Sequence, residues 1–305
     1  VSGGKRGRLT RATQATRSAL RRYPGTLLDS IRRRDPGLAT PGARTGLSAP
    51  PEGLCAVWLG HASVLVGLDG RFVLFDPVFS ERIGPRVGKR KLGLARTSPP
   101  PVHADDLPPI DVLAISHAHF DHLDLPTLEA LASERTAVVT AARTHRLIPS
   151  GYGRTLELQW DESFEVAGLL FTAIRPQHWG ARRVLDRRRG YNAYLVDSGR
   201  HRVLFAGDTG DTLAFDQLRN IDLAVLGIGA YEPWEHAHAT PEQVWSMFRR
   251  MGARSLAPVH HSTFPMSDEA EDEPMRRLHR AAGDEFESCV VCRQAGEVWV
   301  EGNGQ

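Results

Sequence analysis

Three histidines and two aspartates stand within nine positions in SHAHFDHLD, Ser116–Asp124, directly after the apolar run Ile-Asp-Val-Leu-Ala-Ile. Such a cluster at the end of a buried strand is either a solvated turn or a device for holding something. Imidazole nitrogen and carboxylate oxygen without thiolate suit Zn²⁺ or a similar first-row ion, and a catalytic site of that kind leaves a coordination position for water. Other apolar runs end in the same way: FTAIRPQ runs into His178, VLFAG into Asp208 and LAPV into His260. Strand ends allow a rigid sheet to present side chains from distant parts of a sequence at one point, so convergence is the simplest explanation.

The elements that must position these residues are legible from pattern. CAVWLGHASVLVGL and RFVLFDPVF are apolar, β-branched runs joined by Asp69-Gly70, a hairpin signal, and NAYLVDSGRHRVLFAGD repeats it around Ser198-Gly199. Strands are predicted at Asp111–Ser116 and in TAVVTAA, TLELQW, LLFTAI, IDLAVLGIGAY and SLAPV. Thr240-Pro241-Glu242-Gln243 predicts a helix start, because Thr can cap, Pro suits the first helical position and Gln completes a capping box. That helix should end near Gly252, and others are predicted near Pro126–Glu134 and over Glu273–Ala282. Residues 82–109, rich in Pro and Gly and carrying Arg86, Lys89, Arg90, Lys91 and Arg96, read as one long loop. Strands outnumber helices and the helices follow groups of strands, which fits two packed sheets with helices outside better than one doubly wound sheet.

At 305 residues and 41% hydrophobic, the chain can build a sizeable core as one large domain or two modest ones. Residues 1–46 read as a basic arm with a short helix around Arg11–Tyr23, and residues 47–305 as the domain proper. The arm carries eleven basic residues against Asp29 and Asp35, a charge of +9 within a total of +2, so the remainder is −7. That asymmetry suits an anionic surface, although the use of 35 Arg against 3 Lys equally fits a solvated extension shaped by codon bias. No apolar run reaches membrane-spanning length and no signal-peptide core is present, so a cytoplasmic protein is expected, with peripheral contact to a membrane through the arm. Cys55, Cys289 and Cys292 do not make a disulfide scaffold, and the lone CVVC reads as two strand cysteines placed by alternation.

With these residues in view, the sequence resembles the metallo-β-lactamase-fold hydrolases, whose hallmark is HxHxDH followed by a downstream His, a bridging Asp and a final His. Here HAHFDH, QHW, GDTG and HHSTF follow in that order. The resemblance implies a four-layer αββα sandwich of two mixed β-sheets with outer helices, and a binuclear site holding two Zn²⁺, with Mn²⁺ or Fe²⁺ as alternatives. Carried over residue by residue, it gives His117, His119 and His178 to one metal and Asp121, His122 and His260 to the other, with Asp208 bridging. It makes His260 rather than His261 the ligand and gives Asp121, Asp208 and His238 the reacting roles. WLGHASVLV, DPVFSER, LPPIDVLAISHAHFDHLD, QHW, FAGDTG, IGAYEP and HATPEQ further resemble the branch containing N-acylphosphatidylethanolamine-hydrolysing phospholipase D. VHHSTF departs from that branch by placing His261 where Trp is usual, and a bacterial group resembling sugar-phosphate lactonases shares the hairpin and the metal pattern.

The implied activity is a phosphodiesterase acting on an N-acylphosphatidylethanolamine-like phospholipid through metal-activated hydroxide. The alternatives are another hydrolase of the same fold, lactonase-like or nuclease, or a non-enzymatic metal-binding protein. His238 matches a position near the substrate in the phospholipase-like branch, or is a surface histidine at a helix start; His236 is expected to be exposed. His61 either orients a ligand or packs in a turn, and Asp76 is expected to hydrogen-bond a ligand histidine. The expected partner is an anionic small molecule or phospholipid, each basic side chain near an anionic surface being worth about 1 kcal/mol. Nucleic acid is not expected, since no aromatic stacking run accompanies the basic arm.

Overall fold

Asp69 and Gly70 turn the chain with φ of 46° and 82°, the pattern that a two-residue hairpin with right-handed strand twist requires. The structure, a computed structural model, describes residues 25–26, 28–30, 37–41, 52–88, 90–182, 186 and 188–302. Most of the arm, its expected helix included, lies outside the described residues. In chain order, β1 (Leu54–Trp58), β2 (Val64–Leu68), β3 (Arg71–Phe75), β4 (Val112–Ile115), β5 (Ala137–Ala141) and β6 (Arg154–Leu158) build most of the first sheet. The second contains β7 (Ser163–Val166), β8 (Leu169–Ile174), β9 (Ala193–Asp197), β10 (Arg202–Phe205), β11 (Leu223–Gly227) and β12 (Ser255–Val259), while β13 (Val298–Val300) returns to the first.

The sheet orders are β6-β5-β4-β3-β2-β1-β13 and β7-β8-β9-β10-β11-β12. Each begins antiparallel, through β13-β1-β2-β3 and β7-β8-β9-β10, and then turns parallel, through β3-β4-β5-β6 and β10-β11-β12. This is the two-sheet, mixed architecture expected, and the two sheets share one order of antiparallel and then parallel pairing. Val66, Val73, Phe75, Ala114 and Val139 of the first sheet meet Phe171, Tyr194, Val203, Phe205 and Val225 of the second in one buried core. At its centre Phe75 and Phe205 stack with ring centroids 4.5 Å apart, so the two strands that lead to Asp76 and Asp208 are locked together.

Helices cover the outer faces unequally. α1 (Leu125–Ala130) is six residues long and packs its Leu128 over Leu113 and Val138, so the helix predicted near Pro126–Glu134 is real but shorter. α2 (Pro241–Met251) starts on the expected capping box, with the Thr240 side chain and the Gln243 side chain each accepting from the other's backbone N–H, and stops at Gly252 in the left-handed region. Its Val244, Met247, Phe248 and Met251 lie at helical spacing and pack on Leu204, Leu226 and Leu256. Each such fully buried side chain contributes about 1.5–3 kcal/mol. α3 (Glu273–Ala282), predicted with the same bounds, and α4 (Phe286–Cys289) complete that layer.

Three expectations change. Residues 82–109 are not a plain loop: Arg82–Ile83 pairs with Leu94–Ala95 and, beyond them, Arg86–Val87 with Arg90–Lys91, so the segment is a strap of two short ladders. Cys289 ends α4 and Cys292 follows at a φ of 52°, so neither is a strand residue, and no disulfide joins the three cysteines. The CAVWLGHASVLVGL run is broken at Gly60 and His61, both at positive φ, into β1 and β2. At the end of β3 and β10 remote from the Asp76 and Asp208 positions, Asp69 accepts hydrogen bonds from Ser198 Oγ and from His201 Nδ1 (2.8 Å), tying the hairpin tips of both sheets. Among the described residues no helix is long and apolar enough to cross a membrane.

Candidate metal centre

β4, β10 and β12 all run parallel to a neighbour, and their carboxyl ends deliver His117, Asp208 and His260, the place where mixed and parallel sheets collect binding groups. The close approach of two of these ends depends on Gly207: it has a φ of 57°, and a Cβ there would lie 2.8 Å from Ser116 Cβ. His119, Asp121 and His122 follow β4 in one turn, closed by His119 O accepting from the His122 and Leu123 amides.

Two donor groups result. In the first, His117 Nε2 and His178 Nε2 lie 2.8 and 3.4 Å from His119 Nδ1. They stand 3.7 and 3.5 Å from Asp208 Oδ2. In the second, His122 Nε2 and His260 Nε2 are each 3.4 Å from Asp121 Oδ2. Asp208 faces this group as well, with Oδ2 3.1 Å from His122 Nε2 and Oδ1 3.2 Å from His260 Nε2. All seven residues singled out in the sequence therefore meet, with Asp208 between the groups. His61 joins the second group, its Nε2–H donating to Asp121 Oδ2 at 3.0 Å, and its donor atom lies within 4.8 Å of those of Asp121, His122 and His260.

The donors are oriented from behind. Asp76 Oδ2 accepts from His122 Nδ1 (2.6 Å) and Asp76 Oδ1 from the Ser116 amide (2.7 Å). Ser116 Oγ lies 2.8 Å from His117 Nδ1. The Ala237 carbonyl accepts from His178 Nδ1 at 3.1 Å, leaving Nε2 bare toward Asp208. Histidines whose far nitrogen is held by a carboxylate or carbonyl are the usual arrangement around bound metals.

Electrostatics follow from burial and from two carboxylates among imidazoles. Burial and the neighbouring histidines push His117 and His178 well below the ordinary imidazole range. Burial would raise Asp121 and Asp208, but the charge of His122, joined for Asp208 by that of His260, holds both well below the usual carboxylate range. Burial opposes charge on His260 too, yet Asp208 and Asp121 raise it to about 9. His122 and His260 thus carry the positive charge that the carboxylates demand, although their Nε2 atoms are buried without a hydrogen-bond partner. Orphaned imidazole nitrogens aimed at two ionised carboxylates, in an all-nitrogen and oxygen donor set, fit divalent cations that replace those protons.

The other residues named from sequence fall into place unevenly. His238, half-buried, has Nδ1 3.9 Å from Asp208 Oδ2, and its burial lowers it to about 4, so it is neutral at physiological pH. His236 is exposed. His261 belongs to neither donor group and stacks on Trp58 at 4.5 Å. Of the strap's cations, Arg86 and Arg90 are exposed but Lys91 and Arg96 are buried, so the run is not a uniform basic surface. Lys91 Nζ instead holds Asp124 Oδ1 at 2.8 Å, fastening the strap to the turn after the donors. Ser116, the Ala237 carbonyl and Asp124 had no role assigned from sequence, because their roles depend on contacts between residues far apart in the chain. Trp179 was also missed: it stacks on His178 at 4.4 Å and is 41% exposed at the mouth.

A model of the beta-lactamase superfamily domain matches residues 71–261, which contain every one of the seven donors. The chain belongs to the beta-lactamase superfamily. It is 34% identical over 257 residues to an uncharacterized protein of Mycobacterium tuberculosis, covering 78% of this chain and 66% of that one. It is also 31% identical over 273 residues to an N-acyl-phosphatidylethanolamine-hydrolyzing phospholipase D of Caenorhabditis elegans, covering 81% of this chain and 76% of the relative. The crystal structure of an isothiocyanate hydrolase from Delia radicum gut bacteria shares the fold with a TM-score of 0.64 at 19% identity, over 81% of this chain and 98% of that one. The superfamily's metallo-β-lactamase fold is thus the fold of this chain. The chain spans about two thirds of the length of the mycobacterial relative.

Proposed function

We propose that the chain is a binuclear metal-dependent hydrolase, a phosphodiesterase acting on an N-acylphosphatidylethanolamine-like phospholipid. The observation that carries the reading is the Asp208 carboxylate, whose Oδ2 faces the first donor group while both of its oxygens face the second. Similarity to the worm phospholipase supports the phosphodiester, and the basic arm of residues 1–46 supports an anionic, lipid-side partner. Zn²⁺ suits the nitrogen-rich donor set, with Mn²⁺ and Fe²⁺ as alternatives.

His117, His119 and His178 would hold one cation and Asp121, His122 and His260 the other, with Asp208 shared. Bound divalent cations supply Lewis acidity, which makes water a nucleophile at neutral pH and offsets charge developing on phosphoryl oxygens. Asp208, kept ionised by its imidazole neighbours, orients the attacking group for in-line approach to phosphorus. Asp121 is held by His61 and fixes the second group without needing to move. Neutral His238, beside Asp208, keeps one N–H to donate to a phosphoryl or leaving-group oxygen. Trp179 covers one side of His178 and limits water around the first group.

The test is turnover by the metal-loaded full chain on four substrates: a generic soluble phosphodiester, N-acylated phospholipid in vesicles, a lactone and RNA, each with and without chelator. The expected outcome is chelator-sensitive phosphodiester cleavage with the N-acylated lipid preferred. Lactone hydrolysis that outpaces all three phosphodiesters would overturn the substrate class, RNA cleavage preferred over the lipid would overturn the lipid, and turnover indifferent to chelator would overturn the metal.

A further inference from the structure

Among the described residues three Lys or Arg side chains are buried, and only two have partners. Arg82 pairs with Asp29, and Lys91 Nζ lies 2.8 Å from both Asp124 Oδ1 and Ser80 Oγ. Arg96 is the exception. It is 9% exposed, and none of its three guanidinium nitrogens, all shielded from solvent, has a hydrogen-bond partner. Glu81 and Asp124 are near enough to act on its charge, but neither reaches it with a hydrogen bond. The Asp124 oxygens are already committed, Oδ1 to Lys91 and Oδ2 to Thr127 Oγ1 (2.6 Å) and the Ser80 amide (3.2 Å). Burial lowers the guanidinium only to about 10, so it remains a cation at neutral pH. Beyond the longer-range pull of the Glu81 and Asp124 carboxylates, its compensation is the Phe264 ring, whose centroid is 5.3 Å from Cζ. A cation–π contact offsets only part of the cost of burying an unpaired charge.

The place is as telling as the lack of partners. Phe264 packs edge-on against His61 at 5.2 Å, and His61 holds Asp121. The same Phe264 lines a cavity with His61, His260 and His261, on the side of the second donor group, and with Glu269 and Glu271, Arg96 lying behind the phenyl ring. Thr97 N donates to Thr263 O (2.8 Å) and Ser98 Oγ to Ser262 O (2.7 Å), so the segment carrying Arg96 is stitched to the one carrying Phe264. Gly60, at a φ of 95°, keeps the backbone bare beside the guanidinium: a Cβ there would lie 3.3 Å from Nη2. Five unused N–H donors in a planar fork match an oxyanion. A carboxylate would take two of them, whereas a tetrahedral oxyanion offers further oxygens to the rest.

We propose that Arg96 forms an oxyanion subsite beside the metal centre, binding a phosphate-class anion that reaches it from the adjoining cavity when the Phe264 side chain swings aside. The anion is either the phosphodiester of the substrate or free phosphate, the two sharing the same recognition chemistry. The substrate arm rests on the phosphodiesterase reading above; the anion-binding arm does not.

Calorimetric titration of the metal-loaded full chain with inorganic phosphate tests the site, comparing the unmodified protein with Arg96→Met. The expected result is at least tenfold weaker phosphate binding in the variant, at unchanged metal content. Equal phosphate affinity in the two proteins would mean a buried charge satisfied by hydration alone and would overturn the proposal. Where Arg96→Met does not fold, hydrogen exchange over residues 94–98 of the unmodified chain decides: phosphate should slow it, and exchange indifferent to phosphate overturns the site. Steady-state kinetics then distinguish the sources. A rise in KM for the phosphodiester in Arg96→Met, with phosphate inhibiting the unmodified enzyme competitively, assigns the subsite to substrate; weakened phosphate binding with KM unchanged assigns it to free phosphate. Absence of phosphodiester turnover would remove the functional reading while leaving the phosphate titration decisive for the subsite.

Discussion

The two donor groups differ in how they meet solvent. His61, Asp121, His122 and His260 are all buried, whereas in the other group His119 is half-buried and, although the His178 side chain is only 1% exposed, Trp179, itself 41% exposed, lies against both histidines. The sealed group is backed on several sides, by Asp76 behind His122 and by His61 behind Asp121. The open group relies on one serine hydroxyl and one backbone carbonyl. A cation in the sealed group should exchange slowly and act as a fixture, while one in the open group should exchange readily and meet substrate first.

The largest effect should come from the residue common to both. Asp208→Asn removes the charge that each group shares and should lower turnover by about three orders of magnitude, the upper range for one preorganised charge. Metal analysis should show depletion of both cations with far-UV circular dichroism unchanged; loss of only one would mean that the groups are independent. A smaller change is expected from Asp76→Asn, which leaves His122 poorly held. Metal affinity should fall by about 10–100-fold, and only in the sealed group. Competition against a chelating dye resolves the two affinities, and weakening confined to the open group would reverse the comparison. The smallest concerns Trp179→Ala. An aromatic stack is worth about 0.5–1.5 kcal/mol, so chelator stripping of the open group should accelerate by roughly tenfold or less. Acceleration of the slow phase instead would show that the tryptophan guards both.

Legibility in the sequence followed the range of the interactions. Thr240 to Gln243 and Gly252 announced α2 because capping and chain reversal are decided within a few residues, and Asp69-Gly70 announced its hairpin for the same reason. The donors could be picked out because each of their four segments follows an apolar run. β13 escaped because three residues, VWV, carry too little period to signal a strand, and its assignment depends on pairing with β1 far away in sequence. The strap over residues 82–95 was hidden by its Pro and Gly content, and its shape is fixed by long-range contacts such as Lys91 to Asp124. Composition likewise grouped Arg96 with the other cations of residues 82–109, since nothing local distinguishes a guanidinium that enters the core from one that faces water.

The tie at Asp69 bears on how the molecule can move. With Ser198 and His201 of one sheet fastened to the turn of the other, and His201 Nε2 also 2.9 Å from Glu301, the two layers are stapled at their far margin. The histidine margin is fastened as well, by the His260 amide to the His61 carbonyl (2.8 Å) and the Asn192 amide to the Ser116 carbonyl (2.9 Å). The sheets are thus pinned at both ends, and cutting the Asp69 staple would free only the far margin, leaving the donors in register.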